Sequence, residues 1–372
     1  MSNVQIRPVL TSGDREKFIK FLWKIYEGNE HWVPPLLMDR RKLMDKKKNP
    51  FYSHADAEFY IAERNGEMVG RIAGIVNHNH NKEHGDKVGF FGFFESINDQ
   101  TVADALFDTA KKFVRERGME TLRGPMSPSV NDEIGLLVEG FQYSPVILMP
   151  YNPPYYADLV ERYGFKKTMD LYAYKLSQET VFSERIVRAH DIVMRRHNLT
   201  FRSLDMKRFK EEVGHIKDIF NRAWQKNWGA VPMTEAEIEA LAADLKPIVI
   251  PGLVVFAESK GKTIGFALGL PDINVALKYN RSGGLLMGLY HLMTKKKKID
   301  LARIIVLGVL PEYLHTGAAG ALFFESAVRA MPLGYKYGEA GWVLENNVQM
   351  NRAAEAMNGE LYKKYRLYDL AV

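Results

Sequence analysis

Cysteine is absent from the 372 residues, which excludes disulfide bonds, thiolate nucleophiles and cysteine-based zinc sites. Long apolar runs are also missing, since no segment approaches the roughly 20 uninterrupted apolar residues of a membrane span. The N-terminus, MSNVQIRPVL, has no charged leader followed by an apolar stretch, so we expect no signal peptide. The sequence therefore predicts a cytoplasmic protein whose chemistry uses oxygen, nitrogen or a bound cofactor.

Positive charge exceeds negative charge only slightly. The chain has 51 basic and 45 acidic residues, a net charge of +6, which favours anionic partners mildly. No zinc-finger, recognition-helix or RNA-binding motif accompanies this charge, so we expect no nucleic acid partner. Three of the ten histidines, His78, His80 and His84, lie in NHNHNKEHG, where an exposed hairpin loop is the simplest interpretation. We expect no metal.

A short pattern that occurs twice indicates an internal duplication. Alanine, glutamate, two residues, glycine, two residues, a β-branched residue and glycine occupy positions 62–70 and again 257–265, a shift of 195 residues. The same shift superposes Gly74 on Gly269, Asn152 on Asn347 and Gly164 on Gly359. Each copy predicts two strands joined by a tight glycine turn.

The elements around the two hairpins follow the same order in each half of the chain. A helix precedes the hairpin, and a strand, a helix and a second strand follow it; in the second half these are ARIIVLGVL, GALFFESAVRAM and YGEAGWVLE. The sequence predicts an α/β (α+β) protein of two tandem domains, residues 1–176 and 200–372, joined by a linking helix at 177–199. Each domain is expected to be a mixed, mostly antiparallel twisted sheet flanked by helices.

The second half contains a turn suited to binding an anion. After the strand come Val309, Leu310 and Pro311, then the small residues of 317–320 and a helix. Backbone amides at a helix N-terminus, unobstructed by side chains, bind a pyrophosphate against the positive end of the helix dipole. This segment resembles the acyl-CoA site of GNAT acyltransferases, although Leu314 and His315 replace the usual polar beginning of that motif.

The resemblance extends over nearly the whole chain. The segments GPMSPSVNDEIGLLVEGF, PYNPPYY, NRAWQKNWGAVP and GWVLENNVQMNRAAEAMNGELYKKYRLY are similar to those of the tandem GNAT-like family that includes bacterial ceramide synthases. The superfamily implies transfer of an acyl group from acyl-CoA or acetyl-CoA to an amine. The ceramide branch implies a long-chain sphingoid amine as the acceptor.

The resemblance also implies site residues in each half. Contacts with acyl-CoA are expected from Leu307, Gly308, Val309, Thr316, Gly317, Ala318, Ala319, Gly320 and Asn347. Contacts with the acceptor are expected from Asn131, Glu133, Tyr151, Asn152, Tyr155, Trp224, Asn227 and Trp228. The first half has lost the cofactor signature, because INDQT stands where bare amides are needed.

Acyl transfer also requires a base that deprotonates the amine, and a carboxylate suits that role. The candidates are Glu339 and Glu345, which share one face if YGEAGWVLE is a regular strand. Either residue alone is equally explained as a strand-edge ion pair. His315 is an alternative proton carrier. Many GNAT enzymes have a tyrosine acid where this chain has Glu355.

An apolar stretch followed by lysines points to a membrane surface. In GGLLMGLYHLMTKKKK, residues 283–298, leucines and methionines directly precede four lysines. Such a stripe suits the interface of an anionic membrane, which would make the protein peripheral at the inner membrane face. The alternative is a helix that faces the core and ends in a solvated lysine turn.

Three other functions are compatible with the sequence. One is an N-acetyltransferase of a small molecule or a protein, and another is a binding protein that kept the fold without turnover. A third alternative is transfer from aminoacyl-tRNA on a similar tandem architecture, which would account for the basic charge.

Overall fold

The computed structural model describes residues 4–224 and 227–372. No helix within these ranges is long and apolar enough to cross a membrane.

The first half of the chain alternates helices with strands, as the sequence predicts. Its strands are β1 (Gln5–Pro8), β2 (Ala55–Arg64), β3 (Glu67–Asn77), β4 (Val88–Ser96), β5 (Thr121–Gly124), β6 (Met126–Ser127), β7 (Glu133–Ile134), β8 (Leu136–Glu139) and β9 (Lys166–Ser177). Its helices are α1 (Ser12–Ile25), α2 (Leu37–Leu43), α3 (His78–His84), α4 (Gln100–Arg115) and α5 (Tyr156–Tyr163).

The second half begins with the predicted linking region, which forms two helices, α6 (Gln178–Val181) and α7 (Glu184–His197). The strands that follow are β10 (Leu199–Ser203), β11 (Val254–Ser259), β12 (Lys262–Pro271), β13 (Leu301–Val309), β14 (Tyr337–Leu344) and β15 (Glu360–Ala371). The helices are α8 (Phe209–Trp224), α9 (Glu235–Leu245), α10 (Asn274–Leu277), α11 (Leu285–Lys295), α12 (Ala318–Ala330) and α13 (Val348–Ala356).

The two repeated hairpins, β2–β3 and β11–β12, match in detail. Both turns have two consecutive residues with positive φ, Asn65–Gly66 at 54° and 80° and Lys260–Gly261 at 51° and 78°, the signature of a type I′ turn. The strand register shifts between Ala62 and Glu63 in one hairpin and between residues 257 and 258 in the other, so even the β-bulge is repeated at the 195-residue spacing.

The described residues form two compact units, each assembled from more than one stretch of chain. The first unit comprises residues up to Asp170 together with Leu277–Met293 and Lys363–Val372, and the second comprises Leu171–Ala276 and Thr294–Tyr362. Strand order is β1-β2-β3-β4-β5-β15 in the first unit, with β8 also on β15, and β9-β14-β13-β12-β11-β10 in the second. Each sheet therefore takes one strand from the other half of the sequence. The predicted boundaries at residues 176 and 200 separate the two copies of the duplicated pattern. The compact units have different bounds, because each includes stretches from both halves of the chain.

Both sheets are mixed, which confirms the predicted fold class. In the first unit β4 and β5 run parallel, and in the second β13 and β14 run parallel. A parallel pair needs a long crossover, which α4 and α12 supply. Both helices bury an apolar face on their sheet. Gly74 permits close packing, since a Cβ there would lie 2.6 Å from the Phe113 ring of α4.

The histidine segment forms a helix, and the predicted exposed hairpin loop is wrong. Asn77 caps α3, because its side chain accepts hydrogen bonds from the backbone of Asn79 and His80. Gly85 ends the helix with a left-handed φ of 64°. His80 is consequently buried, with its ring 4.9 Å from that of Phe90.

Burial, together with the neighbouring charges of His84 and Arg123, lowers the pKa of His80 to about 3. In the unfolded chain His80 therefore binds a proton near pH 6.5, whereas in the folded protein it stays neutral until the pH is much lower. This contribution to stability is complete above pH 6.5 and is lost as the pH falls toward 3. Between pH 6.5 and 4 the free energy of unfolding should fall less in His80→Phe than in the parent protein. We expect the difference to be a few kcal/mol at most.

Urea unfolding at a series of pH values measures this effect. The matched control is His78→Phe, on the same helix but exposed. Identical pH profiles for the His80 variant and the parent protein would contradict the expectation.

Candidate active site

A gap opens between the parallel strands β13 and β14. Their pairing runs from Leu301 and Tyr337 to Ile304 and Ala340 and ends there. At the same level β13 contains a bulge, since its register with β12 passes from Val306 directly to Ile304. The predicted cofactor residues Leu307, Gly308 and Val309 follow, paired with β12 on one side only. Among the described residues, no strand pairs with their other edge.

The turn after β13 ends in an open helix N-terminus. Gly317 has a left-handed φ of 79° and precedes α12 without providing a side-chain cap. The hydroxyl of Thr316 accepts from the backbone N–H of Ala318 at 3.2 Å and donates to the carbonyl of Tyr313. A Cβ placed on Gly320 would meet no atom within 4 Å. Ala318 is buried with its N–H bonded to Thr316, whereas Ala319 is partly exposed and Gly320 is exposed. The first turn of α12 is therefore open to solvent at these two residues, where the helix dipole favours an anion.

The corresponding helix of the first unit is closed to anions. Asp99 caps α4 by accepting from the backbone of Thr101 at 2.9 Å, and Arg64 pairs with the same carboxylate at 2.7 Å. The carboxylate already occupies the position that a phosphate would need.

The gap beside β4 is also filled. A Cβ on Gly92 would lie 1.7 Å from the carbonyl oxygen of Met126, so the backbone of β6 packs directly on β4. The backbone N–H of Phe93 donates to the Ser127 hydroxyl at 2.8 Å. The edge of β4 beyond its pairing with β5 is therefore covered by the chain itself.

Glu339 is completely buried in an ion pair. It is 0% exposed and lies 3.5 Å from Arg303, which is 2% exposed. These two residues are register partners in the last paired stretch of β13 and β14. Tyr362 donates its hydroxyl hydrogen bond to the same carboxylate, and Arg303 also donates to the carbonyl of Gly341 at 2.8 and 3.2 Å.

Glu345 does not share a face with Glu339, contrary to the prediction. The register of β14 with β9 shifts between Ala340 and Val343, which interrupts the alternation of faces. Glu345 then lies in the turn after the strand and is partly exposed. The sequence YGEAGWVLE has the pattern of a regular strand and gives no sign of this bulge.

Asn347, from which a contact with acyl-CoA is expected, also has a structural role. Asn347 caps α13, since its side chain accepts from the backbone N–H of Met350 at 3.2 Å, whereas Asn346 is exposed. His315 is exposed in the turn before Gly317.

One of the predicted acceptor residues of the second half, Trp224, lies against β13. The ring of Trp224 packs over Gly308, where a Cβ would come within 2.4 Å of it, and it stacks on Phe220. Asn227 donates its backbone N–H to the carbonyl of Trp224 at 2.7 Å, and Trp228 follows in a turn. The structure thus brings Trp224 and Gly308 together.

In the first half, the predicted acceptor residues are engaged by the protein itself. Asn152 is buried and bonds the backbone of Leu137 through both its oxygen and its nitrogen. Tyr151 and Tyr155 donate to backbone carbonyls at 2.9 and 2.8 Å. These contacts favour a scaffolding role for the proline-rich turn.

Two further residues of this group lie in the β6–β7 region. Glu133 forms a two-armed ion pair with Arg40. The backbone N–H of Asn131 donates to Ser129 at 3.2 Å.

A buried charged cluster of the first unit was not predicted. Glu95 accepts hydrogen bonds from Tyr156 at 2.6 Å and Tyr26 at 3.2 Å, and Arg71 lies 3.5 Å away. Burial raises the pKa of Glu95, while Arg71 and the two hydroxyls oppose the rise. A sequence signal was present, since Arg71 and Arg303 are each the one basic residue within an otherwise apolar strand.

The chain is similar to known proteins over nearly its whole length. The chain is 34% identical to the bacterial ceramide synthase of Caulobacter vibrioides (strain NA1000 / CB15N), over 100% of this chain and 98% of the relative. It is 33% identical to protein YghO of Escherichia coli (strain K12), over 98% of this chain and 94% of the relative. The solved tandem GNAT protein from the clavulanic acid biosynthesis pathway has a TM-score of 0.57 at 12% identity, over 99% of this chain and 98% of that one. No protein-family model matches.

The two glutamates are expected to differ in their effect on stability. Glu339→Gln leaves the buried Arg303 guanidinium without its counter-charge, which costs about 3–5 kcal/mol of unfolding free energy. Glu345→Gln serves as the control, because a change at a partly exposed turn position costs within about 0.5 kcal/mol. Urea unfolding of both variants measures the difference. Equal stability of the two variants would refute a structural role for the ion pair.

Proposed function

The chain belongs to the tandem GNAT-like family that includes the bacterial ceramide synthase and YghO, and we propose that it is an N-acyltransferase that uses acyl-CoA as its donor. The observation that carries this proposal is the open N-terminus of α12 directly after the gap between β13 and β14. These two features lie on consecutive elements. An acyl-CoA thioester needs both, the anion-binding turn for its pyrophosphate and the unpaired strand edge for its pantetheine.

In the proposed reaction the amine attacks the thioester carbonyl, a C–N bond forms, and the C–S bond breaks to release CoA thiolate. The backbone of residues 317–320 holds the pyrophosphate of the donor. The free edge of β13 at Leu307, Gly308 and Val309 positions the pantetheine and polarises the carbonyl, because backbone donors fixed beforehand stabilise the developing oxyanion. The side chains of Thr316 and Asn347 keep the adjoining turns in place.

Donor binding is assigned to the second unit. The first unit has a carboxylate at the N-terminus of α4 and its own backbone beside β4. Both features oppose a bound pyrophosphate or pantetheine, which supports a single donor site.

For the base we propose Glu345, with His315 as the alternative. Glu345 is partly exposed and His315 is exposed, which leaves both accessible to a substrate amine or an intervening water. Glu339 remains a candidate by residue type, but its carboxylate already serves Arg303 and Tyr362, so we assign it the task of holding the strands.

The acceptor is proposed to be a long-chain, sphingoid-type amine presented by an anionic membrane. The relative named as a ceramide synthase suggests the class, and α11 supplies the structural support. Its large apolar side chains point into solvent. Leu286 is 81% and Met293 76% exposed, and the other exposed residues are Leu285, Met287, Leu289 and Tyr290. A core-facing helix, the alternative interpretation, would bury these side chains.

Helix α11 is held firmly on its opposite side. Gly288 is buried, and a Cβ there would lie 2.9 Å from the side chain of Leu36. The residues that lead into the helix are also fixed, because Leu37 donates its N–H to the carbonyl of Gly283 and Trp23 donates to that of Arg281. The exposed face is therefore presented on an ordered helix, with the lysines at 295–298 immediately after it.

Replacing Gly317 by valine is expected to weaken acyl-CoA binding by roughly tenfold or more. A β-branched residue is strained at a φ of 79°, and its Cβ would press on Val193 at 3.2 Å, so the amides of the turn move away from the ligand. Isothermal titration with CoA measures the affinity.

The matched control is Gly334→Val, which follows the other end of α12 with a φ of 93° and open space around it. It introduces comparable backbone strain and should leave CoA affinity unchanged. Undiminished binding by the Gly317 variant, or an equal loss in both variants, would contradict the assignment.

Neutralising the four lysines at 295–298 with glutamine is expected to weaken binding to anionic vesicles by about 1 kcal/mol per lysine that lies near the surface, and less at high salt. The double variant Leu286→Gln, Met293→Gln should weaken it further, because it removes the apolar part of the contact. Co-sedimentation with phosphatidylglycerol vesicles measures both effects. Leu10→Gln is the control, since Leu10 is equally exposed, at 81%, on another part of the chain.

Activity separates membrane delivery from chemistry in the same variants. Acylation of a vesicle-borne long-chain amine should fall in the lysine variant, while acylation of a short soluble amine should persist. Equal loss on both substrates, or no vesicle binding by the parent protein, would leave an acetyltransferase of a soluble amine as the better interpretation.

A further inference from the structure

Helix α7, in the predicted linking region, packs against α12 within the second unit. His190 of α7 lies 3.2 Å from the Glu325 carboxylate, and its ring lies 4.8 Å from that of Phe324. Further along α7, Val193 reaches the beginning of α12, since a Cβ on Gly317 would lie 3.2 Å from the Val193 side chain. The two helices are therefore antiparallel, and the last turn of α7 continues past the open N-terminus of α12.

This last turn of α7 is basic. It contains Arg195, Arg196 and His197, and Asn198 ends the helix with a left-handed φ of 49°. Both arginines are exposed, and among residues 4–224 and 227–372 neither forms an ion pair. Cations in a last turn complement the negative end of the helix dipole. The dipole accounts for the basic character of the turn, but the two arginine side chains leave the helix in different directions.

Arg196 lies on the face of α7 that meets the turn at Gly317. Residues three positions apart are neighbours on a helix, with Cβ atoms about 5–6 Å apart. Arg196 follows Val193 by three positions, so its side chain projects beside the contact between Val193 and Gly317. Arg195 follows Val193 by two positions, and residues at that spacing do not share a face. The packing of α7 on α12 thus brings one of the two arginines to the anion-binding turn.

The turn by itself supplies less positive charge than a diphosphate requires. A helix N-terminus is equivalent to roughly half an elementary charge, and the first turn of α12 is open to solvent at two residues. Other cations near the turn are already paired, because Arg222 and Lys262 lie 3.0 and 3.9 Å from the Glu312 carboxylate. Arg196 has no such counter-charge among the described residues, so its full charge is available to an anion.

We propose that Arg196 binds a phosphate group of the donor at the N-terminus of α12, an assignment that rests on the proposed function. The planar guanidinium donates two parallel hydrogen bonds to phosphate oxygens, and it adds a whole charge to the partial charge of the helix. The contact is made with a part of the donor that does not react. It therefore contributes equally to the ground state and the transition state, and its loss raises KM without lowering kcat.

Two arginine variants test the assignment. Arg196→Gln should lower the affinity for CoA by roughly tenfold or more, because a hydrogen-bonded contact between charged groups is lost. Arg195→Gln is the matched control, since it removes the same charge from the same exposed turn on a different face, and it should leave the affinity nearly unchanged. Arg196→Lys keeps the charge without the paired geometry and should restore part of the affinity. Isothermal titration of the full chain measures all three variants.

Stability and kinetics separate phosphate binding from a structural role. Both glutamine variants remove one cation from the negative end of α7, so their thermal midpoints should change equally. In Arg196→Gln the KM for acyl-CoA should rise, while kcat and the KM for the amine stay near the parent values. If Arg196→Gln binds CoA as the parent protein does, or if both glutamine variants lose affinity equally, the assignment is overturned while the proposed function stands.

Dephospho-CoA, which lacks the phosphate on the ribose, and inorganic pyrophosphate identify the group that is bound. An equal loss for CoA and dephospho-CoA in Arg196→Gln assigns the contact to the pyrophosphate, and a loss for CoA alone assigns it to the ribose phosphate. If the parent protein binds no CoA compound, the proposed function fails. Binding of inorganic pyrophosphate that is weakened by Arg196→Gln then still supports the phosphate contact, and absence of this binding overturns it as well.

Discussion

The buried pair of Arg303 and Glu339 is the interaction on which the second unit depends. It joins β13 to β14 at the last level where the two strands are paired. Just beyond it, the carbonyl of Gly341 has lost its strand neighbour and accepts instead from the Arg303 guanidinium. Separating two adjacent strands leaves buried polar groups that must be satisfied. One arginine side chain does so here, and the gap can open without leaving the Gly341 carbonyl bare.

The two units show how one fold can keep or lose such a gap. Both have the same bulged hairpin and the same parallel pair linked by a helix. In the first unit the backbone of Met126 packs on Gly92, and Asp99 occupies the end of α4. In the second unit a helix N-terminus without a side-chain cap follows an unpaired strand edge. The difference lies in a few residues at the ends of elements, since the elements themselves are preserved.

Most of the fold could be predicted from the sequence, and the candidate site only in part. Repeated glycine turns and apolar periodicities are local signals, so the hairpins, α4 and α12 were predicted correctly. The turn at Gly317 was found because its small residues leave the backbone amides unobstructed, which is a local signal. The shared face of Glu339 and Glu345 was wrong because a bulge in β14 depends on its pairing with β9, which the local sequence does not encode.

Other features were missed because they depend on distant partners. The role of Arg303 depends on Glu339, and that of Arg71 on Glu95; each arginine looked like an exception within an apolar strand. Capping of α13 by Asn347 fits the general preference for asparagine at helix N-termini, but only the structure shows which side chain makes the bond.

The exchange of strands between the halves has a consequence for synthesis on the ribosome. Strand β15 completes the sheet of the first unit, and its Tyr368 is fully buried in a core formed otherwise by residues of the first half. Strand β15 is synthesised after the other strands of the second half, so the core around Tyr368 cannot close until that half has been made. Domains that fold vectorially finish the N-terminal part first. Here the first unit stays an incomplete intermediate until β15 emerges, with an apolar edge that still lacks its partner strand.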